Sequence, residues 1–259
     1  MTTNDLLMIE INHKTCYISG NVRNQERLPV FYWGIMKENT ESIMTVVSYL
    51  KQHLENRPFL LVAYEADNWN DDFSPWKAAP VFGTEGFGGG ADKTLKWLVD
   101  DCIPYIEAED SFYTKGAAEV SRFTVGYSLA GLFSLWAYCE CDLFTGAVCC
   151  SGSLWYDGWL DYIDRRQPAF DRKGLRYLYL SLGDKEEKTK NKRMAAVGDN
   201  TRALSAFLNE KRENIICTLE WNRGGHFSEP EMRVIKGIVW VTDRYMEMER
   251  SYGDICKNT

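Results

Sequence analysis

The sequence is poor in histidine, with three in 259 residues, and it has no long apolar run and no excess of basic charge. Each shortage excludes something. A membrane helix needs about 18 or more consecutive apolar residues, and no stretch approaches that. Thirty Lys and Arg stand against thirty-seven Asp and Glu, a net charge of -7, so a phosphate backbone or an anionic membrane is repelled on average. A nucleic-acid or membrane partner is therefore not expected. From Met1 to Cys16 there is no basic start, and the apolar run Leu6 to Ile9 is too short for a signal-peptide core. A soluble, cytoplasmic protein is expected.

C-x-x-C spacing is absent too. The eight cysteines include Cys139, Cys141, Cys149 and Cys150, but no histidine lies near them to complete a zinc site, so reduced, packed thiols are expected. No metal or organic cofactor is implied. Hydrophobic residues at 45% and charged residues at 26% are ordinary for a folded soluble chain, and no repeat or linker divides it. One domain over residues 1–259 is expected, since α/β domains often exceed the usual ~150 residues.

Strand-like runs alternate with helical patterns along the chain, which predicts an α/β fold: a mainly parallel sheet with helices on both faces. Leu6 to Ile11 and Thr15 to Ile18 form an antiparallel N-terminal hairpin. Strands follow at Val30 to Trp33 and Phe59 to Tyr64, with a helix from Glu41 to His53 between them. Asp92 caps a helix that Pro104 bends or shortens. Next come a strand at Arg122 to Val125, a helix from Leu129 to Cys139, and strands at Gly146 to Cys150 and Tyr177 to Leu182. A polar helix from Met194 to Arg212, a strand at Ile215 to Trp221 and a helix opening at Pro230 complete the order. The charge run Lys185 to Arg193 reads as a solvated loop.

The segment from Arg122 to Gly131, RFTVGYSLAG, sets an apolar strand against Gly126 and Ser128 and continues into an apolar helix. That is the setting of a nucleophile elbow, where the residues two positions either side of the serine must be small. Gly126 and Ala130 meet the requirement, although the usual G-x-S-x-G pattern has glycine where Ala130 stands. The plainer alternative is a serine capping a helix at a strand end. Serine attacks only when a base removes its proton. His13 and His53 precede Ser128 in ordinary structural settings, whereas His226 follows it on the loop Trp221-Asn-Arg-Gly-Gly-His-Phe227. An acid is expected between them, and the loop Gly183-Asp-Lys-Glu-Glu187 offers Asp184, Glu186 and Glu187. Physics of the sequence does not rank these three.

Beyond the elbow, Pro29 to Gly34, Phe59 to Pro75, Gly88 to Asp92, Ile103 to Ile106 and Ser151 to Trp155 extend the pattern. From about Leu28 onward the chain resembles the esterase family of α/β-hydrolases that includes esterase D-like enzymes, siderophore and feruloyl esterases and mycolyl transferases. The resemblance implies an α/β-hydrolase fold, Ser128 as nucleophile and His226 as base. It also implies Glu186 as the acid and an oxyanion hole from the backbone amides of Leu129 and Ile35. Gly86, Gly88 and Ala91 fit a dinucleotide-binding spacing, but no strand immediately precedes them.

The function implied is a serine esterase acting on a small-molecule ester through an acyl-enzyme. Trp69, Trp76, Trp155, Tyr156 and Trp159 fall in or near loops at the catalytic edge, where they either stack on a sugar, aryl or siderophore ester, Trp69 and Trp155 foremost, or pack the loops. An acyltransferase would use the same intermediate. A non-catalytic binding module would have little reason to keep serine, carboxylates and histidine in working order.

Overall fold

A computed structural model describes residues 6–22, 27–37, 39–54, 57–108, 113–115, 117, 119–211 and 214–257, the last ten by their backbone alone. Strands β1 (Leu7–Ile11) and β2 (Lys14–Asn21) form the expected hairpin, and β3 (Arg27–Ile35), α1 (Thr40–His53) and β4 (Phe59–Glu65) follow. A short helix α2 (Trp69–Asp72) and a two-stranded ribbon, β5 (Lys77–Ala78) with β6 (Phe87–Gly88), lead to α3 (Ala91–Trp97) and α4 (Ile103–Ile106). Then come β7 (Glu119–Tyr127), α5 (Leu129–Glu140), β8 (Phe144–Cys150), α6 (Trp159–Arg165) and β9 (Arg176–Gly183). Helices α7 (Lys192–Ala195) and α8 (Val197–Lys211), strand β10 (Ile215–Asn222) and helix α9 (Pro230–Lys257) end the described chain.

Eight strands make one sheet in the order β1-β2-β4-β3-β7-β8-β9-β10. Strand β2 runs antiparallel to β4, and every pairing from β4 to β10 is parallel. Residues of α3 to α6 and α8 share one apolar core, and those of α1 and α9 another. Central strands covered on both faces must be apolar throughout. In β3 every residue from Leu28 to Ile35 is buried, which is why its run lacks alternation.

Local chemistry moved several boundaries. Gly90, not Asp92, sits at the N-cap of α3, and Asp92 falls in the first turn, where its charge favours the helix dipole. The reason lies upstream. A Cβ on Gly88 would lie 1.9 Å from Oδ1 of Asp71, so the glycine run lets the chain press against α2 and start its helix early. Those glycines serve packing. Pro104 lacks an N–H, and the helix passes through a π-helical turn, Leu98–Cys102, immediately before α4.

The expected Met194 to Arg212 helix divides at Ala196, because Asn191 caps a separate first turn by accepting from the amides of Arg193 and Met194. Arg212 itself lies outside the described residues. The charge run is only partly a solvated loop. Its lysines are exposed, but Glu186, Glu187 and Arg193 are partly buried. The described cysteines are free thiols, and burial pushes Cys139 and Cys150 up to about 12.

Candidate active site

Ser128 stands between the end of β7 and the first turn of α5 with φ 58° and ψ -121°, a left-handed backbone rarely adopted by a residue with a side chain. The turn is tight enough that a Cβ on Gly126 would lie 1.9 Å from the carbonyl oxygen of Ala130. Glycine is required at 126. Ala130 is fully buried yet fits, which accounts for the departure from the usual motif. The Ser128 amide is held by the carbonyl of Cys150 at 3.0 Å, and the Ser128 carbonyl accepts from Leu132 and Ser153.

His226 reaches Ser128 from the loop after β10, with Nε2 2.9 Å from the serine Oγ. On the other side of the ring, Nδ1 lies 2.7 Å from Oε2 of Glu186. A carboxylate accepts only, so Nδ1 carries the proton and Nε2 is left to accept from the serine hydroxyl. Tyr127, whose hydroxyl burial pushes up to about 12, donates to the His226 carbonyl and holds the loop from its other end.

The three carboxylates after β9 have separate tasks. Asp184 accepts from the Gly224 amide at 2.8 Å and ties the histidine loop to β9. Glu187 pairs with Arg202 at 2.6 Å on the surface side. Glu186 alone faces His226, with its side chain 4% exposed.

Its second oxygen, Oε1, accepts from Arg233 at 2.6 Å, the Gly183 amide at 2.7 Å and the Ser151 hydroxyl at 2.8 Å. Burial pushes the Glu186 carboxyl up, while the hydrogen bond and charge of His226, the Gly183 amide and Ser151 pull it down further, leaving it below its ordinary value. Arg233, 1% exposed, also donates to Gly225 O at 2.9 Å and Ser151 Oγ at 2.6 Å.

Above the serine opens a cavity of about 530 Å³, whose walls include Trp69, Trp155, Phe87, Phe82, Met36 and Phe227. Leu129 and Ile35 line it as well, flanking Ser128 at the carboxyl ends of β7 and β3. Leu129 is the first residue of α5, and first-turn amides have no partner within their helix. Trp76, Tyr156 and Trp159 take no part in the wall. Trp76 donates to Asp157 O and Tyr156 to Trp76 O, while Trp159 stacks on Tyr162, so these three pack the loops.

Solved structures with a similar fold include the siderophore hydrolase EstA of Aspergillus nidulans, at 16% identity and TM-score 0.72 over 92% of this chain and 94% of that one. An IroE-like serine hydrolase of Shewanella oneidensis aligns at 17% identity and TM-score 0.70, over 89% of this chain and 76% of that one. The BES protein of Bacillus cereus gives 16% and 0.70, over 92% and 94%. The chain has the α/β-hydrolase fold.

No protein-family model matches this chain. A curated protein of Bacillus subtilis, the uncharacterized YbbA, is 27% identical over 164 residues, a match spanning 61% of this chain and 62% of that protein. No helix among the described residues is long and apolar enough to cross a membrane, and no group of three or more His, Cys, Asp or Glu among them is placed to hold a metal ion.

Of the residues singled out in the sequence, Ser128, His226, Leu129, Ile35, Trp69 and Trp155 line one cavity, and Glu186 lies behind His226, on Nδ1. Sequence reading missed Arg233, Ser151 and Tyr127. A signal for Arg233 existed: it precedes Val234 and Ile235 on the buried face of α9, where a lone charge must have a partner.

Proposed function

We propose that the chain is a serine-dependent carboxylic ester hydrolase. The observation that carries this reading is the unbroken hydrogen-bonded line from Ser128 through His226 to Glu186, set on a strained turn at the floor of a cavity. Ser128 Oγ attacks the ester carbonyl while its proton passes to Nε2 of His226. Glu186 keeps the ring in the required tautomer and stabilises the imidazolium that forms. The Leu129 and Ile35 amides hold the oxyanion, each worth about 3 kcal/mol by the usual cost of losing such a donor.

The imidazolium then protonates the departing alcohol, and water, activated by the same histidine, releases the acyl group. The reaction at Ser128 draws on this chain's own side chains and water. Aromatic walls favour an ester with an aryl, sugar or siderophore-like portion, a class in keeping with the siderophore hydrolases of the same fold.

The test is Ser128→Ala in folded, purified protein. Hydrolysis of a short activated ester falls at least about a thousandfold and fluorophosphonate labelling disappears. Unchanged turnover in the variant sinks the proposal.

A further inference from the structure

The cavity crosses the carboxyl edge of the sheet, and its two ends differ in chemistry. Trp69, Phe87 and Trp155 wall the end that packs on the α5 core. At the other end, Asn39 and Ser42 beside the start of α1 meet Glu231 in the first turn of α9. Among the described lining residues there is no Lys or Arg, and Glu231 is the one acidic side chain. Ser42 Oγ donates to Oε1 of Glu231 at 2.5 Å. Oε2 has no protein donor among the described residues. Asn39 occupies the N-cap position of α1 without capping it, so its amide also stays available to the cavity.

We propose that Glu231 is a specificity-determining residue: its Oε2 accepts a hydrogen bond from an ammonium or hydroxyl donor on the portion of the ester seated between α1 and α9. The inference rests on reading Ser128 as the site of ester cleavage. A carboxylate accepts and never donates, and charge-assisted bonds of this kind are roughly twice as strong as neutral ones. A substrate carboxylate at the same place would meet like charge with no Lys or Arg among the described lining residues to offset it. The net charge of -7 works in the same direction. Aromatic walls at one end and an acceptor at the other select an amphipathic ester with hydrogen-bond donors opposite its apolar portion.

Matched esters test this. One set joins 3-phenylpropanoate to short alcohols ending in ammonium, hydroxyl or carboxylate, and a mirror set carries those endings on the acyl chain. Binding to the Ser128→Ala chain is read by tryptophan fluorescence, and kcat/KM is measured with the unaltered enzyme.

In at least one set the ammonium and hydroxyl esters bind about tenfold tighter than the carboxylate ester, as expected for a charge-assisted bond. Glu231→Gln on the same background removes most of that ratio, and Glu231→Lys inverts it. Comparable binding of all three endings in both sets overturns the inference without need of a variant. So does a Gln variant with a lowered Tm but an unchanged ratio, because Glu231 would then only tether α9 to Ser42. The binding ratio is read without turnover. Failure of the unaltered enzyme to hydrolyse any ester therefore sinks the hydrolase reading separately.

Discussion

Arg233 donates from Nη1 to one oxygen of Glu186 at 2.6 Å while His226 lies 2.7 Å from the other. The carboxylate is thus shared between a permanent cation and the histidine. With side chains 1% and 4% exposed, the pair is buried, and removing either member strands the other's charge. Replacing Arg233 by Met should lower stability by about 3–5 kcal/mol, the usual cost of breaking such a pair. Adding Glu186→Gln to that variant should recover part of the loss. Chemical denaturation checks both, and additive losses would show that the two side chains do not depend on each other.

The acid is assigned by comparing three variants. Glu186→Gln should reduce kcat by about a hundredfold to ten-thousandfold, since the histidine loses its orienting acceptor. Asp184→Asn and Glu187→Gln should stay within a few-fold, because their carboxylates hold Gly224 and Arg202 instead. A loss on Asp184→Asn equal to that of Glu186→Gln would undo the assignment.

The lowered Glu186 pKa also fixes a pH dependence of stability. In the unfolded chain this carboxyl titrates near its ordinary 4.5, whereas in the folded chain it takes up a proton only at lower pH. As pH falls the unfolded state therefore binds the proton first, and stability contributed by Glu186 above 4.5 is lost as pH drops through the folded value. The stability gap between the unaltered chain and Glu186→Gln should narrow over that acid range. A gap that widens on acidification would contradict the sign.

Gly126 and Ala130 should respond oppositely to a single methyl group. Gly126→Ala puts a Cβ against the Ala130 carbonyl and should abolish activity or folding, while Ala130→Gly removes a methyl that fits and should keep activity within a few-fold. Labelling of Ser128 by a fluorophosphonate reads both.

Truncating Trp155 should change selectivity more than it changes the reaction itself. Trp155 lines the cavity and is backed by Arg193, whose guanidinium lies 5.3 Å from its ring. Trp155→Ala should lower kcat/KM for aryl esters about two- to tenfold relative to acetyl esters, the scale of 0.5–1.5 kcal/mol for an aromatic pair. Equal loss on both classes would remove Trp155 from recognition.

Ser128 and His226 were legible because their signals are local. The elbow needs a strand, small neighbours and a helix in immediate succession, and one histidine alone follows it in the sequence. The acid was legible only as a cluster. What separates Glu186 from Asp184 and Glu187 is the direction each side chain takes from a tight turn, which depends on Arg233 and Ser151 arriving from elsewhere. The parallel sheet could be read from apolar runs, but the π-helical turn, the small ribbon and the split before α8 could not. The split rests on which of several polar residues takes up the cap, here Asn191, and on how closely Gly198 approaches Glu187, where a Cβ would lie 1.8 Å away.

Arg233 belongs to α9, so the groups around Glu186 come together from segments far apart in the sequence. During synthesis Ser128 leaves the ribosome well before α9, and until α9 docks Glu186 lacks its cation and the histidine loop lacks the contact at Gly225. Translation therefore orders the events: the strained serine turn can form first, but the hydrogen-bonded line behind it is incomplete until α9 docks.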